Sequence, residues 1–193
     1  MNNSIVPLIK ELERIYDSLT IKFNLMVERP IITIQSKGKS KILGWFWQEK
    51  WCKIEGKMIG EINICAEELN KNPIETLVHE MVHYANHVDN IADCNGHGYH
   101  NKNFKERAEL YGLSVNKDGR HGWGLTAIAP KLDAILKDIK IDYKIFELYR
   151  KENITTKAPT KMIKYICKCT TIRCATSLKA KCLVCNEEFK ISD

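Results

Sequence analysis

The sequence predicts an α+β fold with a small antiparallel sheet, followed by a C-terminal unit that a metal ion holds together. Helical and strand-like segments do not alternate regularly, as a doubly wound parallel sheet would require. Residues 153–162 have the composition of a linker. Five of the eight cysteines lie within the last 27 residues. We therefore expect one domain at residues 1–152 and a second, smaller unit at residues 163–193.

The composition is that of a water-soluble globular protein, with 44% hydrophobic and 28% charged residues among 193. No segment approaches the roughly 20 consecutive apolar residues that a membrane-spanning helix needs. The N-terminal segment lacks the basic start and long apolar core of a secretory signal. We therefore expect a cytoplasmic protein without a membrane partner. In cytoplasmic proteins, clustered cysteines bind metal more often than they form disulfides.

The first part of the chain predicts one helix and three strands. Apolar residues recur at helical spacing from residue 5 to about residue 20, and Ser4 could cap that helix. Residues 31–34, 41–47 and 60–66 have the composition and alternation of strands. These segments are long enough for a small sheet.

Three further helices are predicted after the strands. The pair Asn72-Pro73 is typical of a helix start, and the helix should extend over residues 73–88. A second helix is expected at residues 103–112, where a glycine marks its end. A long amphipathic helix should begin at a proline and cover residues 130–150.

The helix at residues 73–88 carries the pattern His79-Glu80-Met81-Val82-His83. Histidines four residues apart lie one turn above the other on one helix face, so both can reach one Zn²⁺ at about 2.0–2.1 Å. Glu80 is offset around the helix and could accept a proton from a water molecule at the metal. Because the helix is apolar nearly all round, it should be buried, and a metal would satisfy polar groups that are costly there.

A catalytic zinc ion needs a third protein ligand and one open position. Four downstream residues are candidates by their type and position: Asp89, Glu106, His97 and His100. A loop rich in glycine and asparagine surrounds the two histidines and could deliver either one. Geometry alone leaves this choice open.

The C-terminal cysteines have the spacing of a tetrahedral zinc site. Cys167-x-Cys169 is followed after twelve residues by Cys182-x-x-Cys185, which is typical of the two knuckles of a zinc ribbon. A unit of about 31 residues with few large apolar groups usually needs such a metal to fold. Cys174 is an additional thiol that could replace Cys167 or Cys169. The sequence thus predicts two zinc ions, one catalytic and one structural.

The charge of the chain is concentrated in the same region. Residues 151–193 contain nine Lys/Arg against four Asp/Glu and supply most of the formal net charge of +6. A basic zinc ribbon could contact phosphates, so DNA is an expected partner. The residues concerned are Lys161, Lys164, Lys168, Arg173, Lys179 and Lys181. A second contact could involve Lys37, Lys39 and Lys41 beside Trp45 and Trp47.

The chain resembles the SprT-like family, which includes the DNA–protein crosslink protease Spartan. The resemblance covers most of the chain and rests on these segments: Gly44-Trp45-Phe46, Glu61-Ile62-Asn63-Ile64, residues 76–83, His100-x-x-x-Phe104 and the Cys-x-Cys … Cys-x-x-Cys tail. It implies a zincin-like metallopeptidase domain. In that family an aromatic residue follows the third histidine ligand by four positions, which favours His100. Many relatives carry Gly-His-Gly at this ligand, however, which keeps His97 as the alternative.

The resemblance and the motif chemistry lead to the same functional expectation. The chain should be a zinc-dependent endopeptidase that hydrolyses peptide bonds in protein or peptide substrates, including proteins associated with or crosslinked to DNA. The resemblance also implies that the strand at residues 61–64 lines the cleft and could pair with an extended peptide; the alternative is a plain core strand, and the two are compatible. Tyr99, Arg120 and His121 are candidate oxyanion stabilisers. The alternatives are a nucleic-acid-binding zinc-ribbon protein whose metal site is not proteolytic, and a zinc hydrolase of a small substrate.

Overall fold

The protein was analysed as a computed structural model, which describes residues 4–38, 41–151 and 162–192. The chain divides into two compact units, Met1–Glu152 and Asn153–Asp193. Both helices and small sheets are present, so the α+β class is confirmed. The predicted linker at residues 153–162 lies outside the described residues except for its last position. No helix in the described part of the chain has the length and apolar composition that a bilayer span requires.

The first helix, α1, spans Val6–Lys22. Residues at helical spacing on one face are buried because this face packs into the core: Leu8, Leu12, Ile15, Tyr16 and Leu19. Ser4 lies one position before the N-cap, and its Oγ accepts a hydrogen bond from the backbone N–H of Val6 at 3.2 Å. The helix therefore begins slightly later than the periodicity predicted.

The main sheet contains β1 (Ile31–Gln35), β2 (Gly44–Cys52) and β3 (Met58–Cys65) in the order β1-β3-β2. β2 and β3 are antiparallel, whereas β1 is parallel to β3. The prediction of an antiparallel sheet is therefore wrong, and the sheet is mixed. The central strand β3 thus has one neighbour that runs in the same direction, β1, and one that runs in the opposite direction, β2.

The strand order also decides which strand could accept an extended peptide. β3 is hydrogen-bonded on both sides, so the predicted pairing of residues 61–64 with a peptide is wrong. β2 lies at the edge of the sheet, and Gly44, Trp45, Phe46 and Trp47 from this strand line the large cleft described below. The unpaired backbone groups of an edge strand are the ones that can add a further strand.

Two helices follow the sheet. α2 spans Pro73–Val88 with Asn72 at the N-cap position, although the Asn72 side chain makes no capping hydrogen bond. α3 spans Lys102–Leu110, and the side chain of Asn101 caps it by accepting hydrogen bonds from the next turn. Most of α2 is buried, as its apolar composition predicted.

A β-hairpin that the sequence analysis missed follows α3. It consists of β4 (Leu113–Asp118) and β5 (Gly122–Ile128), which pair in antiparallel fashion. Alternation in Leu113-Ser-Val-Asn and the turn pair Asp118-Gly119 are signals that could have identified it. Both signals are short. Little sequence lies between the end of the preceding predicted helix and the proline that starts the next one.

The helix predicted for residues 130–150 is shorter than expected. α4 spans Pro130–Ile139 and ends where Lys140 adopts a left-handed conformation with φ 54°. Residues Tyr143–Glu147 then form a separate 3-10 helix, capped by the Asp142 side chain. A left-handed residue breaks the helical hydrogen-bond ladder, although the apolar periodicity of the sequence continues past it.

The C-terminal unit contains a third small sheet. Its strands are β6 (Ile163–Ile166), β7 (Thr171–Cys174) and β8 (Lys190–Ile191), in the order β7-β6-β8. Tyr165 is one of its few buried side chains, and its hydroxyl accepts a hydrogen bond from the backbone N–H of Leu178 at 2.8 Å. Such a small apolar interior supplies little stability by itself.

Candidate functional site

Three histidines converge at one point on the floor of a cleft. His79 and His83 lie one turn apart on α2, and His100 comes from the segment just before α3. The Nε2 atom of His100 lies 3.2 Å from Nε2 of His79 and 3.1 Å from Nε2 of His83. These three residues are named the three-histidine cluster here, and their ligand atoms lie close enough together to hold one metal ion.

Oxygen atoms on the outer side of the cluster fix the orientation of the rings. The Nδ1 atom of His83 lies 2.8 Å from a carboxylate oxygen of Asp93, which also accepts a hydrogen bond from Asn86 at 3.0 Å. The Nδ1 atom of His100 lies 3.0 Å from the backbone oxygen of His121. A carbonyl or ionised carboxylate oxygen can only accept, so both Nδ1 atoms carry the proton and Nε2 is left with a lone pair.

The protonation of the cluster is set by burial and by Asp93. Burial lowers the pKa of His79 and His100, and the nearby histidines lower it further. Burial also disfavours the charged form of His83, but the hydrogen bond to Asp93 and the negative charges of Glu80 and Asp93 together outweigh that effect and raise the pKa of His83. The positively charged form is thus disfavoured at His79 and His100 and favoured at His83. A divalent cation can satisfy all three lone pairs at once.

The distances within the cluster fit a zinc ion. Tetrahedral zinc with Zn–N bonds of about 2.0–2.1 Å places its ligand nitrogens roughly 3.3–3.4 Å apart. The observed separations of 3.2 and 3.1 Å are close to that value. Imidazoles whose outer nitrogens contact an oxygen, as those of His83 and His100 do, are also ligands that zinc takes in sites with an open position.

The structure places the other candidate ligands elsewhere. His97 lines the cleft but does not belong to any group of potential ligands among the described residues. Asp89 forms an ion pair with Arg107 at 2.6 Å. Glu106 is exposed on α3. His100 is thus the third histidine that the fold brings to His79 and His83, while its role as a ligand stays a prediction.

Glu80 lies beside the cluster with only 6% of its surface exposed. Burial raises the pKa of its carboxyl group to about 7, and the nearby Asp93 charge adds to that effect. A hydrogen bond from the backbone N–H of Phe46, on the edge strand β2, opposes it. Glu80 therefore links the helix of the histidines to the strand that forms one wall of the cleft.

The cleft has a volume of about 1170 Å³ and opens over the cluster. One wall is β2 and the residues before it, and the other includes the turn and first residues of β5. Arg120 and His121 line the cleft, whereas Tyr99 packs against Gly122. Arg120 and His121, two of the three candidate oxyanion stabilisers, thus face the space in which a substrate would lie.

The β4–β5 hairpin approaches His100 so closely that two glycines are required. A Cβ atom on Gly124 would lie 2.5 Å from Nδ1 of His100, and one on Gly122 would overlap the backbone oxygen of His100. Gly122 also has a φ of 64°, which favours glycine. The segment His121-Gly-Trp-Gly thus forms the support of His100.

The C-terminal unit contains the second candidate metal site. The sulfur atoms of Cys167, Cys169, Cys182 and Cys185 lie within 4.8 Å of one another, and these residues are named the four-cysteine cluster here. The Sγ of Cys169 lies 3.7 Å from that of Cys167 and 3.5 Å from that of Cys182. Tetrahedral zinc with Zn–S bonds of about 2.3 Å requires a sulfur separation of roughly 3.8 Å. Cys174 does not belong to the cluster.

Backbone amides favour a thiolate in this cluster. Hydrogen bonds from the backbone N–H groups of Cys185 and Val184 lower the pKa of Cys182 to about 6, and the Cys169 thiol contributes as well. The hydrogen bond between Cys169 and Cys182 correspondingly raises the pKa of Cys169 to about 12. The thiolate is the form of cysteine that binds metal. Backbone amides that donate to a cysteine sulfur stabilise this form and therefore favour metal binding.

No protein-family model, curated protein or solved structure matches this chain. The resemblance to the SprT-like family therefore stays a prediction that rests on the motifs.

We expect the purified chain to bind two zinc ions, and His100→Ala to reduce this number to one. The variant removes one of three converging nitrogens, whereas His97→Ala leaves the three-histidine cluster intact and should still bind two. Elemental analysis after removal of loosely bound metal measures both. If His97→Ala loses a zinc ion and His100→Ala does not, then His97 is the third ligand.

Replacement of Gly124 by alanine should displace His100 and weaken metal binding at the three-histidine cluster by at least about tenfold, the scale of losing support for a ligand. Gly119→Ala is the matched control, because it lies in the same hairpin and an added Cβ atom would meet nothing within 4 Å. Zinc affinity is measured by competition with a chelator. Equal affinities for the two variants would contradict the steric argument.

Cys182→Ser should remove the second zinc ion and unfold the C-terminal unit, because a folded unit of this size depends on its metal. Cys174→Ser should retain both zinc ions, since Cys174 lies outside the four-cysteine cluster. Metal content and the amide chemical shifts of residues 162–192 provide the measurement. A Cys174 variant that loses zinc would place this residue among the ligands.

Proposed function

We propose that this chain is a zinc-dependent endopeptidase of the SprT-like type, with a zincin-like catalytic domain and a C-terminal zinc ribbon. The observation that carries the proposal is the convergence of three Nε2 atoms beside the buried carboxyl group of Glu80, at the floor of an open cleft. This combination of ligands and acid–base group is the one that metal-assisted hydrolysis needs.

His79, His83 and His100 would hold the zinc ion. Zinc bound by three histidines acts as a Lewis acid that polarises a carbonyl oxygen and makes water acidic enough to ionise near neutral pH. Asp93 and the backbone oxygen of His121 keep the outer nitrogens of two rings protonated, so that the inner nitrogens face the ion. These contacts also prevent the rings from turning away when substrate enters.

Glu80 would act as the general base and then as the general acid. Its carboxylate takes a proton from the attacking water and later transfers this proton to the nitrogen of the departing amine. The backbone N–H of Phe46 fixes the carboxylate beside the cleft. Arg120, on the opposite wall, is the available cation for the developing oxyanion, and its side chain has no ion-pair partner within the described ranges.

The substrate would be an extended polypeptide segment that pairs with the outer edge of β2, beside the point where the N–H of Phe46 donates to Glu80. This edge runs along the cleft, and Trp45 and Trp47 lie beside it. Main-chain hydrogen bonds to an edge strand bind a peptide with little dependence on its sequence. A folded substrate could not present such a segment, so flexible or unfolded regions should be cleaved first.

A second candidate function is nucleic-acid binding through the C-terminal unit. Its basic side chains are largely exposed, and none of them forms an ion pair within residues 162–192: Lys164, Lys168, Arg173, Lys179, Lys181 and Lys190. Such a surface favours contact with phosphates. In combination with the catalytic cleft it supports protein bound or crosslinked to DNA as the substrate. If the cleft is not catalytic, the chain would be a nucleic-acid-binding zinc-ribbon protein.

Glu80→Gln should reduce peptide hydrolysis by about 10²–10⁴-fold, because loss of a general base removes that much of the rate. The zinc content should stay at two per chain, since Glu80 is not one of the three converging ligands. The measurement uses an unstructured fluorogenic polypeptide, a length series of short peptides and a DNA-crosslinked protein. Glu109→Gln, an exposed change on α3, is the control for the loss of one negative charge.

Equal cleavage by the Glu80 variant and the wild-type chain would remove Glu80 from the mechanism. Cleavage of only the shortest peptides would favour a hydrolase of small substrates. Absence of cleavage for every substrate, together with DNA binding that weakens steeply with salt, would support the nucleic-acid-binding alternative.

A further inference from the structure

The three histidines of the cluster differ in what holds their outer nitrogens. His83 contacts a carboxylate and His100 a backbone carbonyl, and both of these groups can only accept. The Nδ1 atom of His79 instead lies 3.3 Å from the hydroxyl oxygen of Thr126. A hydroxyl can donate or accept, so it does not by itself fix which nitrogen of the ring carries the proton.

A carboxylate behind Thr126 removes this ambiguity. The hydroxyl of Thr126 donates a hydrogen bond to Oε1 of Glu75 at 3.1 Å. Once the hydroxyl proton points to Glu75, only its lone pairs remain for His79. The imidazole must then donate from Nδ1, which leaves the lone pair of its Nε2 facing the other two histidines.

This arrangement joins two separate parts of the fold. Glu75 lies in the first turn of α2, four residues and one helical turn before His79. Thr126 lies on β5, in the hairpin that also supports His100 through His121 and Gly124. The β4–β5 hairpin therefore touches two of the three histidines, although it contributes none of them.

We propose that Glu75 and Thr126 form a carboxylate–hydroxyl relay that holds His79 in the orientation and tautomer needed to bind a divalent metal, and that this relay sets the metal affinity of the three-histidine cluster. Both are positioning residues that act through His79. The inference rests on the metal site of the proposed function, and it is independent of whether peptides are cleaved.

Removal of the hydroxyl gives the first test. Thr126→Val has nearly the same shape but offers no acceptor to His79, and the affinity for zinc should fall about 10–100-fold, as is usual for the loss of a partner behind a ligand. Thr126→Ser keeps the hydroxyl and should restore most of the affinity. If instead Thr126 acts only through packing of its methyl group, the order of zinc affinities should be reversed: Thr126→Val should bind zinc normally and Thr126→Ser should bind it more weakly.

A double-mutant cycle tests whether the two residues act as one unit. Glu75→Gln alone should lower the zinc affinity, because an amide accepts the hydroxyl proton less strongly than a carboxylate. Combined with Thr126→Val it should cause little further loss, since the relay is already broken. If the two losses instead multiply in the double variant, the residues act independently and the relay is refuted.

The measurement uses the full chain loaded with zinc and titrated with a chelator of known affinity. The four-cysteine cluster provides an internal reference, because its zinc affinity should not change in any of these variants. Cobalt substitution supplies a second readout, the visible absorption of the three-histidine site. Ser114→Ala is the matched control, since it removes a hydroxyl from the same hairpin, and this hydroxyl donates to the backbone oxygen of Ala127.

Unchanged zinc affinity in Thr126→Val, with the control also unchanged, would overturn the inference. A wild-type chain that binds zinc only at the cysteines would overturn the metal site itself, which is a separate failure. If the valine variant does not fold, the comparison of Glu75→Gln with Thr126→Ser still decides: the relay requires the first to bind zinc more weakly than the second.

Discussion

The central constraint of this structure is the convergence of three imidazole nitrogens, in which Nε2 of His100 lies 3.2 Å from Nε2 of His79 and 3.1 Å from Nε2 of His83. Lone pairs that converge so closely repel each other, and the surrounding burial makes extra protons costly. The groups behind the rings keep the nitrogens pointed inward. A cation is therefore the partner that this arrangement suits, and most features of the larger unit can be understood as support for it.

The support comes from parts of the fold that lie far apart in sequence. α2 supplies two rings, the segment before α3 supplies the third, and the β4–β5 hairpin contacts the set from outside. The hairpin can approach only because Gly122 and Gly124 have no side chains. The edge strand β2 completes the site, since its backbone holds Glu80 and forms one wall of the cleft. The site is thus built from several small elements that each hold one or two of its groups.

The four-cysteine cluster follows different physics. Its unit has few buried apolar side chains, and its small sheet could not be stable through burial alone. Amide groups of the second knuckle stabilise a thiolate at Cys182 before any metal is present. A metal there would contribute to folding, whereas a metal at the three-histidine cluster would leave one position open to the cleft. One chain thus combines a site suited to stability with a site suited to chemistry.

The sequence alone was sufficient for the α+β class, the helix of His79 and His83, and the grouping of four cysteines. These features depend on local periodicity and short spacing, which a single chain segment determines. It was insufficient for the mixed sheet, the end of α4 at Lys140 and the choice among distant ligand candidates. Those depend on which segments meet in space, so only the tertiary structure decided that His100 joins the other two histidines and that Thr126 and Glu75 lie behind His79.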